Sequence, residues 1–162
     1  MTPPEAPTRF EPSVNADSAP FWESTREKKL VTQWCTDCDR GIFYPRSFCP
    51  SCGSRGAGAL EWRLLSGRGS VYAAVVEHRP DAAGAVFSAG EPYCVALVDL
   101  DEGVRMVTNI VGCSPDDVRI AMKVVVIWEP LSDGRHLPLF EPERPIPRMR
   151  PTSAAEMTEK ED

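Results

Sequence analysis

The sequence predicts a mainly β protein: a short N-terminal helix, a metal ribbon, a five-stranded OB-type Greek-key barrel and extended tails. Three observations carry this reading. Four cysteines, Cys35, Cys38, Cys49 and Cys52, form two CxxC pairs (CTDC and CPSC) separated by ten residues. From residue 60 onward, apolar-rich runs of strand length alternate with turns built from Gly, Asp and Ser. Proline and charge dominate both ends of the chain.

Taken in order, residues 1–16 hold four prolines and few large apolar groups, the pattern of an extended arm. Residues 17–31 form the helical segment. Asp17 and Ser18 are its possible caps, Pro20 fits a first turn, and FWESTREKKL from Phe21 to Leu30 is the helix. Its acidic residues come early and Lys28 and Lys29 late, complementing the helix dipole. The ribbon occupies 32–56, with Ile42 to Tyr44 as a strand between its two knuckles. Residues 57–141 are the barrel. LEWRLL (60–65) alternates, Ser66 to Gly69 is a turn, and SVYAAVVEH (70–78) and YCVALVDL (93–100) are long strands. Asp101-Glu102-Gly103 turns into VRMVTNIVG (104–112), Ser114 to Asp117 starts a helical turn, and KVVVIWE (123–129) is the fifth strand. Leu137 to Phe140 is a short closing strand, and five strands with a helical turn before the last point to the OB type. Residues 142–162 form the tail.

The cysteine spacing is the most specific signal. Two residues within each pair let both sulfurs of a tight turn face one point, and the longer excursion brings the second turn opposite the first. Gly53 follows directly, where positive φ completes the knuckle. Four thiolates then meet a tetrahedral ion, predicted to be one structural zinc, and no ligand position stays open for chemistry. Two disulfides are the alternative. The N-terminus, MTPPEAPTRFEP, has neither a basic start nor an apolar stretch, so no secretion signal is expected and the chain is placed in the cytoplasm. No apolar run approaches a membrane span. Cys94 and Cys113 sit in apolar contexts and are expected as buried small hydrophobes.

At this point the ordered motifs resemble a known family. They are FWE in the helix, CTDC and FCPSCG in the ribbon, LEWRLLSGRGSVY, PYCVALVDLDEGVRMVTNIVG, a PDD turn and a terminal LPLF. The family is that of OB-fold, acyl-CoA-associated proteins with an N-terminal rubredoxin-like zinc ribbon, first catalogued as domain of unknown function thirty-five. The likeness runs from about residue 17 to 142 and retains all four ligand cysteines, which not every member does. It implies an accessory subunit of a thiolase-like acyl-CoA enzyme, such as the aldolase that splits steroid side chains by retro-aldol cleavage. It also implies a possible second partner, a hot-dog-fold enoyl-CoA hydratase, expected as a separate chain because this one starts with its own methionine.

Other function classes are disfavoured by the residues. The two histidines, His78 and His136, have no nucleophile or paired carboxylate near them in sequence, and no GxSxG motif occurs. Catalytic residues are therefore expected to be none. The formal charge is −6, and 13 Lys and Arg against 17 Asp and Glu between residues 17 and 141 argue against nucleic acid. Arg40, Arg46, Arg55, Arg63 and Arg68 do form a locally basic stretch, read either as solvated arginines or as a docking patch. Iron in the knuckles, as in rubredoxin, is the redox alternative to zinc. A free-standing acyl-CoA-binding or single-strand-binding module is the runner-up function. For partner contact the sequence nominates Phe21, Trp22, Arg46, Val86 and Phe87, the last two on the 79–92 loop; the alternatives are a core staple for at least one of Phe21 and Trp22, and Phe87 tucked onto the barrel.

Overall fold

The structure, a computed structural model, describes residues 11–78 and 92–143. The helix α1 (Ala19–Ser24) is followed by a 3₁₀ turn, Thr25–Glu27. Among the described residues eight strands follow: β1 (Val31–Cys35), β2 (Gly41–Ile42), β3 (Leu60–Leu64), β4 (Arg68–Glu77), β5 (Tyr93–Leu100), β6 (Arg105–Ile110), β7 (Lys123–Pro130) and β8 (His136–Pro142). They form a three-stranded sheet, ordered β2-β1-β3, and a closed barrel, ordered β4-β5-β6-β8-β7. All barrel neighbours are antiparallel except β6 and β8, the single parallel contact expected of an OB barrel. The mainly β class, the ribbon and the five-stranded barrel are thus as read.

Alternation sets the barrel interior. Along β5, Cys94, Ala96, Val98 and Leu100 point inward and are buried, while their neighbours are half-exposed. Met106, Thr108 and Ile110 of β6, Val71 of β4, Val124 of β7 and Phe140 of β8 complete the core. The predicted turn at Ser66–Gly69 lets the chain enter the barrel closely. Gly67 takes φ 71°, and a Cβ there would run into Val126 Cγ1.

Four details differ from expectation. The helix starts at Ala19 and ends at Ser24 rather than running Phe21 to Leu30. Ser24 Oγ donates to Phe21 O (2.7 Å) and Thr25 Oγ1 to Trp22 O (2.7 Å), so hydroxyls compete for the last carbonyls and the helix tightens into 3₁₀ form. Lys28 then turns left-handed at φ 56°, so Lys28 and Lys29 lie past the helix and complement no dipole. Ser18 makes no side-chain cap on the helix; its Oγ instead donates to Asn15 O at 3.4 Å. The strand expected at Ile42 to Tyr44 stops at Ile42, because Phe43 and Tyr44 leave the sheet to pack edge-on against Phe21 (5.7 and 6.1 Å between centroids).

The larger correction concerns strand membership. Leu60–Leu64, expected in the barrel, pairs along its whole length with β1, Val31↔Leu64 through Cys35↔Leu60. The ribbon's two-stranded hairpin is too small to stand without it. The fifth barrel strand is instead β8, longer than the closing strand expected, so the helical turn at Pro115–Asp117 precedes the fourth barrel strand and not the last. Of the predicted arm and tail, residues 1–10 and 144–162 lie outside the described residues, as do Val86 and Phe87.

Candidate functional site

β1 delivers Cys35 into the ribbon, and the turn after it carries Cys38, held by Cys35 N–H donating to Arg40 O (2.9 Å). The second knuckle repeats this: Cys49 N–H donates to Ser54 O (2.8 Å), and Gly53 sits at φ 79°. All four sulfurs lie within 4.8 Å of one another, with Cys35–Cys52 at 3.7 Å and Cys38–Cys49 at 3.6 Å. A tetrahedral ion with Zn–S near 2.3 Å keeps its sulfurs roughly 3.8 Å apart. A disulfide would need about 2.05 Å. The quartet therefore fits the ion and not the bridges. Burial pushes the Cys38 thiol up to about 12, reinforced by the neighbouring Cys49 sulfur. Cys49 moves the opposite way: burial opposes ionisation, but N–H groups of Cys52 and Ser51 donate to its sulfur and hold it at about 6. Backbone N–H groups that favour the thiolate suit a sulfur that is to ligate a divalent cation. The four cysteines lie close together in a rubredoxin-like ribbon, consistent with one structural zinc; Cys35, Cys38, Cys49 and Cys52 would hold it and leave no ligand position for water or substrate.

The other sulfurs behave as core. Cys94 lies inside the barrel and Cys113 packs on it half-buried; burial raises both thiols. His136 is structural. Its N–H donates to Thr25 Oγ1 (3.1 Å), and its Nδ1 lies 2.9 Å from Thr25 O, a carbonyl that can only accept. His78 is exposed at the end of β4.

The nominated contact residues fare unevenly. Phe21 and Trp22 are 1% and 5% exposed, so the picture of anchors offered to another protein needs correcting: both staple α1 to the barrel. Trp22 Nε1 donates to Tyr44 Oη at 2.8 Å, tying the helix to the ribbon. Arg46 is exposed, with its backbone N–H on Gln33 Oε1 (2.7 Å). The basic stretch is smaller than it reads. Arg63 pairs with Glu61 (2.6 Å) and stacks over Trp34, and Arg68 pairs with Glu143.

Where α1, Phe43 and Tyr44 overhang the barrel, a cleft of about 590 Å³ opens on the outer face of β5, β6 and β8. Phe21, Trp22, Phe43 and Tyr44 form one wall, and Val95, Leu97 and Val107 form the floor. Sequence reading did not nominate this floor. Its signal was present, because CVALV (94–98) is apolar at every position, so both faces of this part of β5 are apolar. No helix among the described residues is long and apolar enough to cross a membrane.

Family models match both modules: "ChsH2, rubredoxin-like zinc ribbon domain" over residues 22–57 and "ChsH2, C-terminal OB-fold domain" over 62–129. A solved structure named "Ltp2-ChsH2(DUF35) aldolase" is 38% identical, covers 82% of this chain and 98% of that one, and superposes with a TM-score of 0.68. A Thermomonospora curvata protein named "Probable enoyl-CoA hydratase alpha subunit" is 38% identical over 85% of this chain. A "DUF35 domain-containing scaffold protein" of Methanocaldococcus jannaschii is 34% identical over 69% of this chain and 77% of its own. The Mycobacterium tuberculosis "3-oxo-4,17-pregnadiene-20-carboxyl-CoA hydratase alpha subunit" is 33% identical over 70% of this chain. This chain spans 41% and 34% of the lengths of the two hydratase-named relatives. With both modules matched in order and the four ligands in place, the chain belongs to the ChsH2/DUF35 family of zinc-ribbon OB-fold proteins.

Proposed function

We propose that this chain is a non-catalytic accessory subunit of a thiolase-superfamily acyl-CoA enzyme, an aldolase of steroid or other lipid side-chain breakdown. One observation carries the reading: the 38% identity to the DUF35 chain of an aldolase, spanning 98% of that chain. The relative named as a scaffold protein supports the absence of a catalytic role, and the relative named for a pregnadiene-carboxyl-CoA supports a steroid setting. The chemistry agrees. A closed sulfur quartet offers no Lewis-acid position, and His136 is committed to Thr25.

The subunit would act in the cytoplasm by covering a hydrophobic surface of the enzyme and ordering its substrate entrance. An acyl-CoA hydratase, suggested by two relatives' names, is the second partner this reading admits, and the family resemblance implies an enoyl-CoA hydratase of the hot-dog fold. Co-expression with the thiolase-superfamily enzymes of the same genome tests it. A stable complex with gained retro-aldol activity is expected. A chain that purifies alone and leaves every such activity unchanged would defeat the proposal.

A further inference from the structure

The outer face of the barrel carries more apolar surface than one cleft. A second hollow of about 310 Å³ lies beside the first, lined by Ala73, Ala74 and Val75 of β4, and the two share Val95, Leu97 and Val107. Register explains the continuity: Ala73, Leu97 and Val107 face one another across β4, β5 and β6, and Val75 faces Val95. Val75 and Val107 are 61% and 63% exposed. From β8 to β4 the trough crosses four strands, about 14 Å at the usual spacing. That is wide enough to seat a protein segment.

Its polar groups are already engaged, which fixes the chemistry of the occupant. Arg105 makes a two-pronged pair with Asp99 (2.5 and 2.9 Å) and lies over the Tyr72 ring at 3.3 Å. Thr108 Oγ1 donates to Pro138 O (3.0 Å), Asn109 Nδ2 to Cys94 O (3.0 Å) and Trp22 Nε1 to Tyr44 Oη (2.8 Å). Among the described residues, the one cation lining the cleft, Arg105, is paired with Asp99, so this lining offers phosphate, nucleotide and nucleic acid no free cation. What fits is an uncharged apolar segment of another protein.

We infer that the trough across β4, β5, β6 and β8 is the docking face for the partner enzyme, which lays an apolar segment over Val75, Leu97 and Val107. This rests on the accessory-subunit reading. A different chain is favoured over a second copy because the matched structure's name joins two different proteins. The test is the affinity of the full chain for its co-expressed thiolase-superfamily partner. The double variant Val75→Glu/Val107→Glu is compared with Leu64→Glu, which changes an equally exposed residue (66%) lining neither hollow. Placing charge in a desolvated interface centre should weaken the complex about a hundredfold or more, with zinc content and melting temperature unchanged, while Leu64→Glu binds normally. If the parent chain binds and the double variant binds equally well, the face is wrong and the accessory reading stands. If the parent chain binds no such enzyme, both fall. A free chain that is dimeric, and becomes monomeric only in the double variant, assigns the trough to a second copy and overturns the proposal.

Discussion

The ribbon and the barrel are held together by different physics. The ribbon's buried group is Cys35, Ile42 and Cys49, with Cys38 and Leu60 packed at its edge, so among the described residues its cluster has only Ile42 and Leu60 as large apolar side chains. The barrel buries Val71, Val98, Val124 and Phe140 at 1% exposure or less, with Met106, Ile110 and Leu100 beside them. One region depends on four metal bonds and the other on area removed from water. Metal and temperature should therefore act on them separately.

The sharpest way to break this contrast is Cys49→Ser. Losing a buried ligand opens the coordination shell, and the free energy of structural zinc, on the order of 10 kcal/mol, is ribbon folding energy. Zinc stoichiometry should collapse and amide protection vanish from residues 32–56 while β5 and β6 stay protected. An unchanged melting curve with zinc retained would contradict it. The mirror experiment is Phe140→Ala, at 0% exposure in the barrel. It should cost about 3–5 kcal/mol in chemical denaturation and leave the zinc content untouched; zinc loss in step with barrel unfolding would mean the two regions are one unit.

A smaller effect tests the joint. Tyr44→Phe removes the acceptor for Trp22 Nε1, stranding a donor on a residue 5% exposed. The expected loss is about 1 kcal/mol, read as a parallel shift of metal-dependent and metal-independent transitions. A shift in only one transition would place the contact wholly within that region. The smallest effect concerns acid. A hydrogen bond from Arg105 holds the Asp99 carboxyl below its usual range. A lowered native value means stability that is present above about pH 3.9, the ordinary carboxylate value, and lost as pH falls through the native one. Both side chains are over 40% exposed, so Asp99→Asn should flatten only slightly the acid limb of barrel unfolding, read by circular dichroism, and leave the ribbon's limb unchanged.

Much of this was legible because the signals are local. CxxC spacing names its ligands without reference to anything distant, and the inward row Cys94, Ala96, Val98, Leu100 follows from a period of two. What was not legible depends on pairing. Nothing in LEWRLL says that its neighbour is VTQWC and not the barrel, since both choices satisfy the same alternation. In the sequence Phe21 and Trp22 read as one core staple and one anchor, because an aromatic pair at a helix start looks alike whether a partner or the chain's own barrel covers it; both are staples. The trough escaped notice for a related reason: Val95 and Leu97 belong to an unbroken apolar run whose outer half is revealed only by register.

The seam between the two sheets has a practical bearing on dissecting the protein. β3 ends at Leu64 and β4 begins at Arg68, and between them Leu65 is buried, its N–H bonded to Leu30 O at 2.8 Å. A barrel fragment started near residue 57 would carry an orphaned strand, with Trp62 and Leu65 turned out to solvent and prone to self-association. Cutting after Leu65 leaves each piece its own complete sheet.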